Sequence, residues 1–247
     1  MMRLFFLLFL ATLTARALDF NAIVLEQVRS MPEGGGYAVT REAHEALISS
    51  VSSDGSTLKI DAKNAIPSYC SGATYLIFLK SLAAATKEAN DVPRDIEWKK
   101  LQPARVADGI NVWGRWNANG PGTARLFYEL KLGRNFTSIE EARPGDFLKI
   151  FWKDAVGKNE FGHSVIFLGC ENKDGVEHVR FWSSNKPAGY GEKSVPRSKM
   201  AKTLFSRLET PSNLRNLPSL RHSDPYLASL LTKESSFKEA LQMCGVE

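Results

Sequence analysis

The sequence predicts an α+β domain in which a buried helix packs on an antiparallel sheet, followed by a helical C-terminal extension. Residues 71–85 would form a helix that is apolar on nearly every side, with Lys80 as its only charge, which is typical of a helix inside a core. Residues 146–183 contain three short apolar segments separated by turns, which is typical of an antiparallel meander. The chain has 247 residues and 43% hydrophobic content, which suits one domain with a small appendage.

The N-terminus has the pattern of a secretory signal peptide. A basic head that ends at Arg3 precedes an apolar run over 4–14, and Ala15-Arg16-Ala17 is an A-x-A cleavage signal. We expect residues 1–17 to be removed on export and the mature protein to be secreted or periplasmic; the alternative is a buried N-terminal helix. The apolar run is short for a bilayer span and no second one follows, so the sequence predicts no integral membrane segment.

Charge and short motifs exclude several function classes. Without Arg3 and Arg16 the chain has 30 basic and 27 acidic residues, a net charge of about +3. This mild excess suits approach to an anionic polymer such as a cell wall, but it is too small to indicate nucleic-acid binding. The sequence contains no HExxH, CxxC or paired-histidine spacing and no phosphate-binding glycine loop, so it predicts no metal and no cofactor.

The remaining elements follow from apolar spacing and turn residues. Short helices are predicted near 18–29 and 40–48, with a flexible glycine turn between them, and further segments are predicted as a strand over 57–60, a loop over 113–122, a helix over 123–131, strands over 146–152, 161–169 and 177–183, and a helical extension over 201–247. The turn Glu171–Gly175 would join two strands as a hairpin.

Cys70 lies where the buried helix should begin. Pro67 breaks regular structure before it, Ser68 is placed to cap the helix, and small residues follow. Backbone N–H groups and the positive end of the helix dipole lower a thiol pKa there, and the same N–H groups could stabilise an oxyanion. Three cysteines in an exported protein leave at least one unpaired, and burial is the alternative explanation for a free Cys70. Cys170 and Cys244 could pair or lie buried.

His163 is the predicted base. It opens the apolar strand over 161–169, and a central strand beside the buried helix can bring an imidazole to Cys70. A core histidine is the alternative. His44 and His178 are predicted on a helix surface and a strand, and His222 in a polar loop, so none of them is placed as well.

A tight turn near Asp174 places 184–186 opposite His163 in the hairpin. A side chain within 183–185 should therefore contact the second ring nitrogen of His163 and fix its tautomer. We select Asn185 for this role because its amide can accept that hydrogen bond; the alternative is that these residues only end a strand.

Three motifs in this order resemble the NlpC/P60 family of the papain-like fold. Tyr69-Cys70-Ser71-Gly72 resembles the family's nucleophile signature, 142–146 (ARPGD) its "PGD" turn, and 162–169 (GHSVIFLG) its base-bearing strand. The resemblance covers roughly residues 64–185, about half of the chain. The family usually has Asp or Asn where Tyr69 stands.

The resemblance implies a papain-like cysteine hydrolase domain over 18–200 that cleaves amide bonds in peptidoglycan, as an endopeptidase or an amidase. Peptidoglycan or a peptide would be the substrate, and no nucleic acid would be a partner. Two alternatives stay open. One is a transpeptidase, acyltransferase or thioesterase that uses the same three residues, and the other is a secreted binding module with a degenerate site.

Five residues are expected to line the substrate cleft. They are Tyr69 and Ser71 beside the nucleophile, Ser183 beside the base, and Trp113 and Trp116 in a loop rich in Asn and Gly. Indole faces pack on sugar rings, but two packed tryptophans that anchor an irregular loop explain the same pattern.

Overall fold

The computed structural model describes residues 18–89, 92–93 and 95–247. The chain has a mixed α+β fold with a large antiparallel sheet and several helices. The expected signal peptide, residues 1–17, lies outside the described residues. Within the described ranges, the structure contains no helix with the length and apolar character needed to cross a membrane.

The helices are α1 (Phe20–Arg29), α2 (Arg41–Ser49), α3 (Cys70–Glu88), α4 (Trp98–Leu101), α5 (Asn111–Asn117), α6 (Gly122–Leu130), α7 (Pro225–Ser229) and α8 (Phe237–Met243). The strands are β1 (Gly34–Gly35), β2 (Val51–Ser53), β3 (Leu58–Ile60), β4 (Gly133–Phe136), β5 (Phe147–Phe151), β6 (Val156–Gly157), β7 (Gly162–Lys173), β8 (Val176–Asn185), β9 (Gly189–Pro196), β10 (Lys202–Leu208) and β11 (Glu234–Ser235). Short 3-10 turns cover Ala62–Asn64, Arg197–Lys199 and Pro211–Ser219.

Seven strands form the main sheet in the order β1-β9-β8-β7-β5-β10-β4, and every neighbouring pair is antiparallel. Helix α3 packs on one face, where it contacts β7, β8, α1 and α5. Its residues from Gly72 to Leu79 are all buried, as the apolar sequence predicts. A second apolar cluster that includes Leu148, Val165 and Phe181 fills the other face.

The expected helical extension over 201–247 is wrong in its first part. Lys202–Leu208 forms β10, which pairs with β5 on one side and β4 on the other. Its polar residues conceal this role in the sequence, since Arg207 and Ser206 are buried and satisfied by partners elsewhere in the chain. The segment after β10 consists of a 3-10 turn, the short helices α7 and α8, and the strand β11, which pairs with β6.

A buried ion pair aligns the start of β5. The Asp146 carboxylate accepts two hydrogen bonds from the Arg207 guanidinium, at 2.8 and 2.7 Å, and a third from the Asn21 amide at 2.8 Å. Both charged side chains are almost fully buried. The turn before β5 is therefore fixed to β10 and to α1, and this sets the position of β5 beside β7, the strand that carries His163.

The β7–β8 hairpin turns at Asp174–Gly175, where both residues have positive φ, as a type I′ turn requires. A bulge between Phe167 and Gly169 then shifts the pairing by one residue. Continuing the shifted register brings Asn185 opposite His163, at the ends of the two strands.

Candidate active site

Cys70 is the first residue of α3. The N-cap residue is Tyr69, and its side chain makes no capping hydrogen bond. The expected cap by Ser68 is wrong, because the Ser68 hydroxyl donates to the Ser184 hydroxyl at 2.7 Å instead. The first N–H groups of a helix have no acceptor within the helix, so those at the start of α3 are available to an oxyanion beside the Cys70 sulfur.

His163 is the second residue of β7 and lies opposite Ile150 of β5. Its ring stacks on Trp152 with 6.4 Å between ring centroids and meets the edge of Phe181 at 5.7 Å. The two aromatic contacts restrict the imidazole, which is only half-buried and can still meet a ligand.

Asn185 orients His163. The distance between His163 Nε2 and Asn185 Oδ1 is 3.1 Å. The Asn185 amide nitrogen donates to the carbonyl oxygens of Gly191, at 2.7 Å, and Ser183, at 3.3 Å, so its oxygen must face the imidazole. An amide oxygen only accepts, so Nε2 carries the proton and Nδ1 is left as the basic nitrogen for the thiol. Together with the hydrogen bond between His163 and the Cys70 thiol, this contact brings Cys70, His163 and Asn185 together.

The Cys70 thiol is unusually acidic. Burial raises its pKa, but the hydrogen bond and charge of His163, the Ser164 backbone N–H and the charge of Lys149 outweigh burial and lower the pKa from 9 to about 7. A thiol with this pKa is about half ionised at neutral pH and is therefore a ready nucleophile.

Tyr37 is a site residue that the sequence analysis missed. Burial, the Cys70 charge and a hydrogen bond with Cys70 raise the pKa of its phenol to about 12, so the group stays a protonated donor at neutral pH.

The preceding glycines were expected to form a flexible turn, yet Gly34 and Gly35 form β1 on the sheet edge. A Cβ on Gly189 would lie 2.2 Å from the Gly34 carbonyl oxygen, which explains why glycines occupy this contact.

His44 contacts Tyr69, the residue before Cys70, rather than lying on a free helix surface. Its Nδ1 is 2.9 Å from the Tyr69 hydroxyl, and its Nε2 is 3.3 Å from the Ala104 carbonyl oxygen. A carbonyl only accepts, so Nε2 carries the proton and the Tyr69 hydroxyl donates to Nδ1. Tyr69 is only 7% exposed. It therefore supports the start of α3 instead of lining an open cleft.

Three more of the expected cleft residues are buried, in addition to Tyr69. Trp113 and Trp116 lie on α5, not in a loop, with 1% and 2% exposure, so they pack in the core and cannot bind a sugar. Ser183 is fully buried and donates to the Ser164 carbonyl. Trp116 still acts near the site, because its indole N–H donates to the Ser71 carbonyl at 3.1 Å.

Ser71 remains at the site and is half-buried. Its hydroxyl donates to the Asn117 side chain at 2.7 Å, which links the first turn of α3 to the end of α5. The three cysteines are free: Cys170 is exposed and Cys244 is buried, so these two do not pair. The described part of the chain holds no group of three or more His, Cys, Asp or Glu side chains arranged for a metal ion.

Comparison with known proteins gives no assignment: no family model, no curated protein and no solved structure matches this chain.

Proposed function

We propose that the chain is a secreted, papain-like cysteine hydrolase of the NlpC/P60 type that cleaves amide bonds in peptidoglycan, as an endopeptidase or an amidase. One observation carries the proposal. The Asn185 amide holds the imidazole of His163, and contact with that imidazole lowers the pKa of the Cys70 thiol to about 7 despite burial. A nucleophile, a base and an orienting group in contact are the arrangement that nucleophilic acyl transfer requires.

In the first step, the Cys70 thiolate attacks the carbonyl carbon of the amide. The oxyanion that forms is stabilised by N–H groups at the start of α3 and by the Tyr37 hydroxyl. The protonated His163 delivers the proton on Nδ1 to the leaving amine, and the C–N bond breaks. The product is a thioester between Cys70 and the acyl part of the substrate.

In the second step, neutral His163 takes a proton from water through Nδ1, and the resulting hydroxide attacks the thioester carbonyl. The sulfur leaves as a thiolate, the substrate carboxylate is released, and the imidazolium is restored. Asn185 keeps the Nε2 proton in place throughout, so the same nitrogen serves both steps.

Peptidoglycan is proposed on three grounds. The nucleophile, "PGD" and base segments resemble those of NlpC/P60 enzymes in the same order. The N-terminal pattern indicates export. The mature net charge of about +3 favours approach to an anionic wall.

The direct test is digestion of purified peptidoglycan, with product analysis by mass spectrometry. We expect the wild-type protein to release fragments with new free carboxylates and amines. Cys70→Ala and His163→Ala should lower turnover by about 10⁴-fold or more, because the nucleophile or its base is missing. Asn185→Ala should cost less, on the order of 10–100-fold, since the imidazole remains.

Cys170→Ala is the matched control, because this thiol is exposed and should leave turnover unchanged. If Cys70→Ala retains full turnover, the proposed function is wrong. Fragments joined by a new amide bond, in place of free carboxylates, would instead identify a transpeptidase that uses the same residues. A thioesterase would cleave thioester model substrates and leave peptidoglycan uncleaved.

A further inference from the structure

Lys149, in the middle of β5, places an ammonium group inside the domain. Its Nζ lies 2.5 Å from Glu160 Oε1, and the two side chains are only 14% and 4% exposed. Removing an ion pair from water is costly, and hydrophobic side chains often replace such pairs without loss of stability. The triad described above does not explain why a charged pair lies here.

The carboxylate of this pair is held rigidly. Glu160 Oε2 accepts the backbone N–H groups of Gly120, at 2.6 Å, and Gly157, at 3.1 Å. Gly157 belongs to β6, which pairs with β11 from the C-terminal segment. Glu160 is therefore fixed from two sides, and it fixes the Lys149 ammonium in turn.

Lys149 lies beside β7, the strand that carries His163. In the sheet register Lys149 is directly opposite Ser164, the residue after His163. A Cβ on Gly162 would lie 3.0 Å from Lys149 Nζ, so the small residue before His163 makes room for this ion pair. One small internal cavity is lined by Lys149, by Ser164 and by Thr74, which is one turn along α3 from Cys70.

The electrostatics at the thiol agree with this position. Burial raises the pKa of Cys70 and is the largest influence on it. His163, the Ser164 N–H and the charge of Lys149 lower that pKa, and Lys149 contributes after the other two. The titratable groups that face Cys70 are His163, Lys149 and the phenols of Tyr37 and Tyr69, and Lys149 in turn faces Glu160 and Asp108.

We propose that Lys149 is an electrostatic positioning residue that acts through Cys70: its ammonium, fixed by Glu160, is a second positive charge for the thiolate beside the His163 imidazolium. The ammonium then favours the thiolate when Cys70 attacks in the first step, and again when the sulfur leaves the thioester in the second step. The inference rests on the proposed function only for the role of the thiolate as nucleophile.

The test measures the Cys70 thiolate without any peptidoglycan. The rate of alkylation by iodoacetamide is followed from pH 5 to 9, and the modified residue is identified by mass spectrometry. The full chain carries Cys170→Ser throughout, so that the exposed thiol does not compete. A thermal melt of each variant checks that it is folded.

Lys149→Met, which is similar in size but neutral, should raise the midpoint by about one pH unit and slow alkylation at pH 6 by about tenfold. Lys149→Arg keeps the charge and should restore most of the wild-type profile. Glu160→Gln keeps an oxygen for the two N–H groups but removes the counter-charge, so it should shift the midpoint down.

Opposite shifts for Lys149→Met and Glu160→Gln would support the proposal, because a merely structural ion pair would move both variants in the same direction. An unchanged midpoint in Lys149→Met, or equal shifts in Lys149→Met and Lys149→Arg, would overturn it. If Glu160→Gln does not fold, the comparison of Lys149→Met with Lys149→Arg still tests the proposal. If the wild-type protein does not cleave peptidoglycan, the proposed function is wrong, but the pH profiles of Cys70 alkylation still test the role of Lys149.

Discussion

Burial raises the thiol pKa at two helix ends in this molecule, but the charged groups beside the two thiols differ. Cys70 begins α3 and Cys244 follows α8, and burial is the largest influence on both. At Cys244 the pKa rises from 9 to about 12, because the carboxylates of Asp224 and Glu129 add to burial and Arg125 alone opposes them. At Cys70 the pKa falls to about 7.

The difference lies in what each thiol faces. The groups that counter burial at Cys70 are a histidine, a backbone N–H and a lysine, all of which favour a negative sulfur. At Cys244, Arg125 is already engaged, since its Nε donates to the Asp224 carboxylate at 2.7 Å. The Cys244 thiol makes only a long contact of 3.9 Å with the Pro121 carbonyl oxygen. One helix end favours a thiolate, and the other packs a thiol as a small apolar group.

The largest expected effect is the contrast in labelling of the native protein. With pKa values of about 7 and 12, the thiolate fractions of Cys70 and Cys244 at pH 7 differ by about 10⁵-fold. A brief pulse of iodoacetamide at pH 7, read by mass spectrometry, should modify Cys70 first, the exposed Cys170 more slowly, and Cys244 only after unfolding. Faster labelling of Cys170 than of Cys70 would contradict the comparison.

The charged groups beside Cys244 should matter for stability. Asp224 is 1% exposed, pairs with Arg125 and accepts the Leu227 N–H that starts α7. Asp224→Ala leaves Arg125 without this partner, so we expect a loss of about 3 kcal/mol in the free energy of unfolding, measured with urea. The pH profile of Cys70 alkylation should not move.

The control for Asp224 is Glu97→Ala, which breaks a half-exposed pair with Lys100 and should cost less than about 1 kcal/mol. Equal losses in the two variants would show that burial of the Asp224 pair contributes nothing extra to stability. A shift of the Cys70 profile in Asp224→Ala would show that the two thiol environments are coupled.

The core of the candidate site was predictable because its signals are local. A proline before an apolar helix indicates where Cys70 begins α3, and a turn centred on Asp174 sets the hairpin register within one residue. The bulge after Phe167 determines which residue of β8 lies opposite His163. Without the bulge the same turn would place Lys186 there, and with it Asn185 lies there. Bulges follow from packing on both faces of a sheet, so the sequence alone predicts a range and not the residue.

Long-range contacts account for what the sequence analysis missed. The strand β10 carries Lys202, Ser206 and Arg207, whose partners lie far away along the chain, so its pattern does not indicate an internal strand. Trp113 and Trp116 could have been cleft or core residues, and only tertiary packing distinguishes these. The family resemblance covers the three site segments, and the chain's comparison with known proteins neither supports nor opposes it.

Substitution of Tyr37 has the smallest expected effect. It tests whether the surroundings of Cys70 include a hydroxyl donor, which the surroundings of Cys244 lack. The pKa of the Tyr37 phenol, raised to about 12 by burial and by Cys70, keeps the hydroxyl protonated at neutral pH. Tyr37→Phe keeps the ring and removes only the donor. If the hydroxyl stabilises the oxyanion, kcat for peptidoglycan cleavage should fall by about tenfold with little change in KM, since the backbone N–H groups remain.

Tyr128→Phe is the matched control, because Tyr128 is 50% exposed and lies on α6. It should leave kcat unchanged. If Tyr37→Phe also has wild-type kcat, the ring only packs against the start of α3, and the oxyanion is stabilised by backbone groups alone. An increase in KM without a loss of kcat would instead assign the hydroxyl to ground-state binding of the substrate, because a group that acts only in the transition state lowers kcat and kcat/KM together.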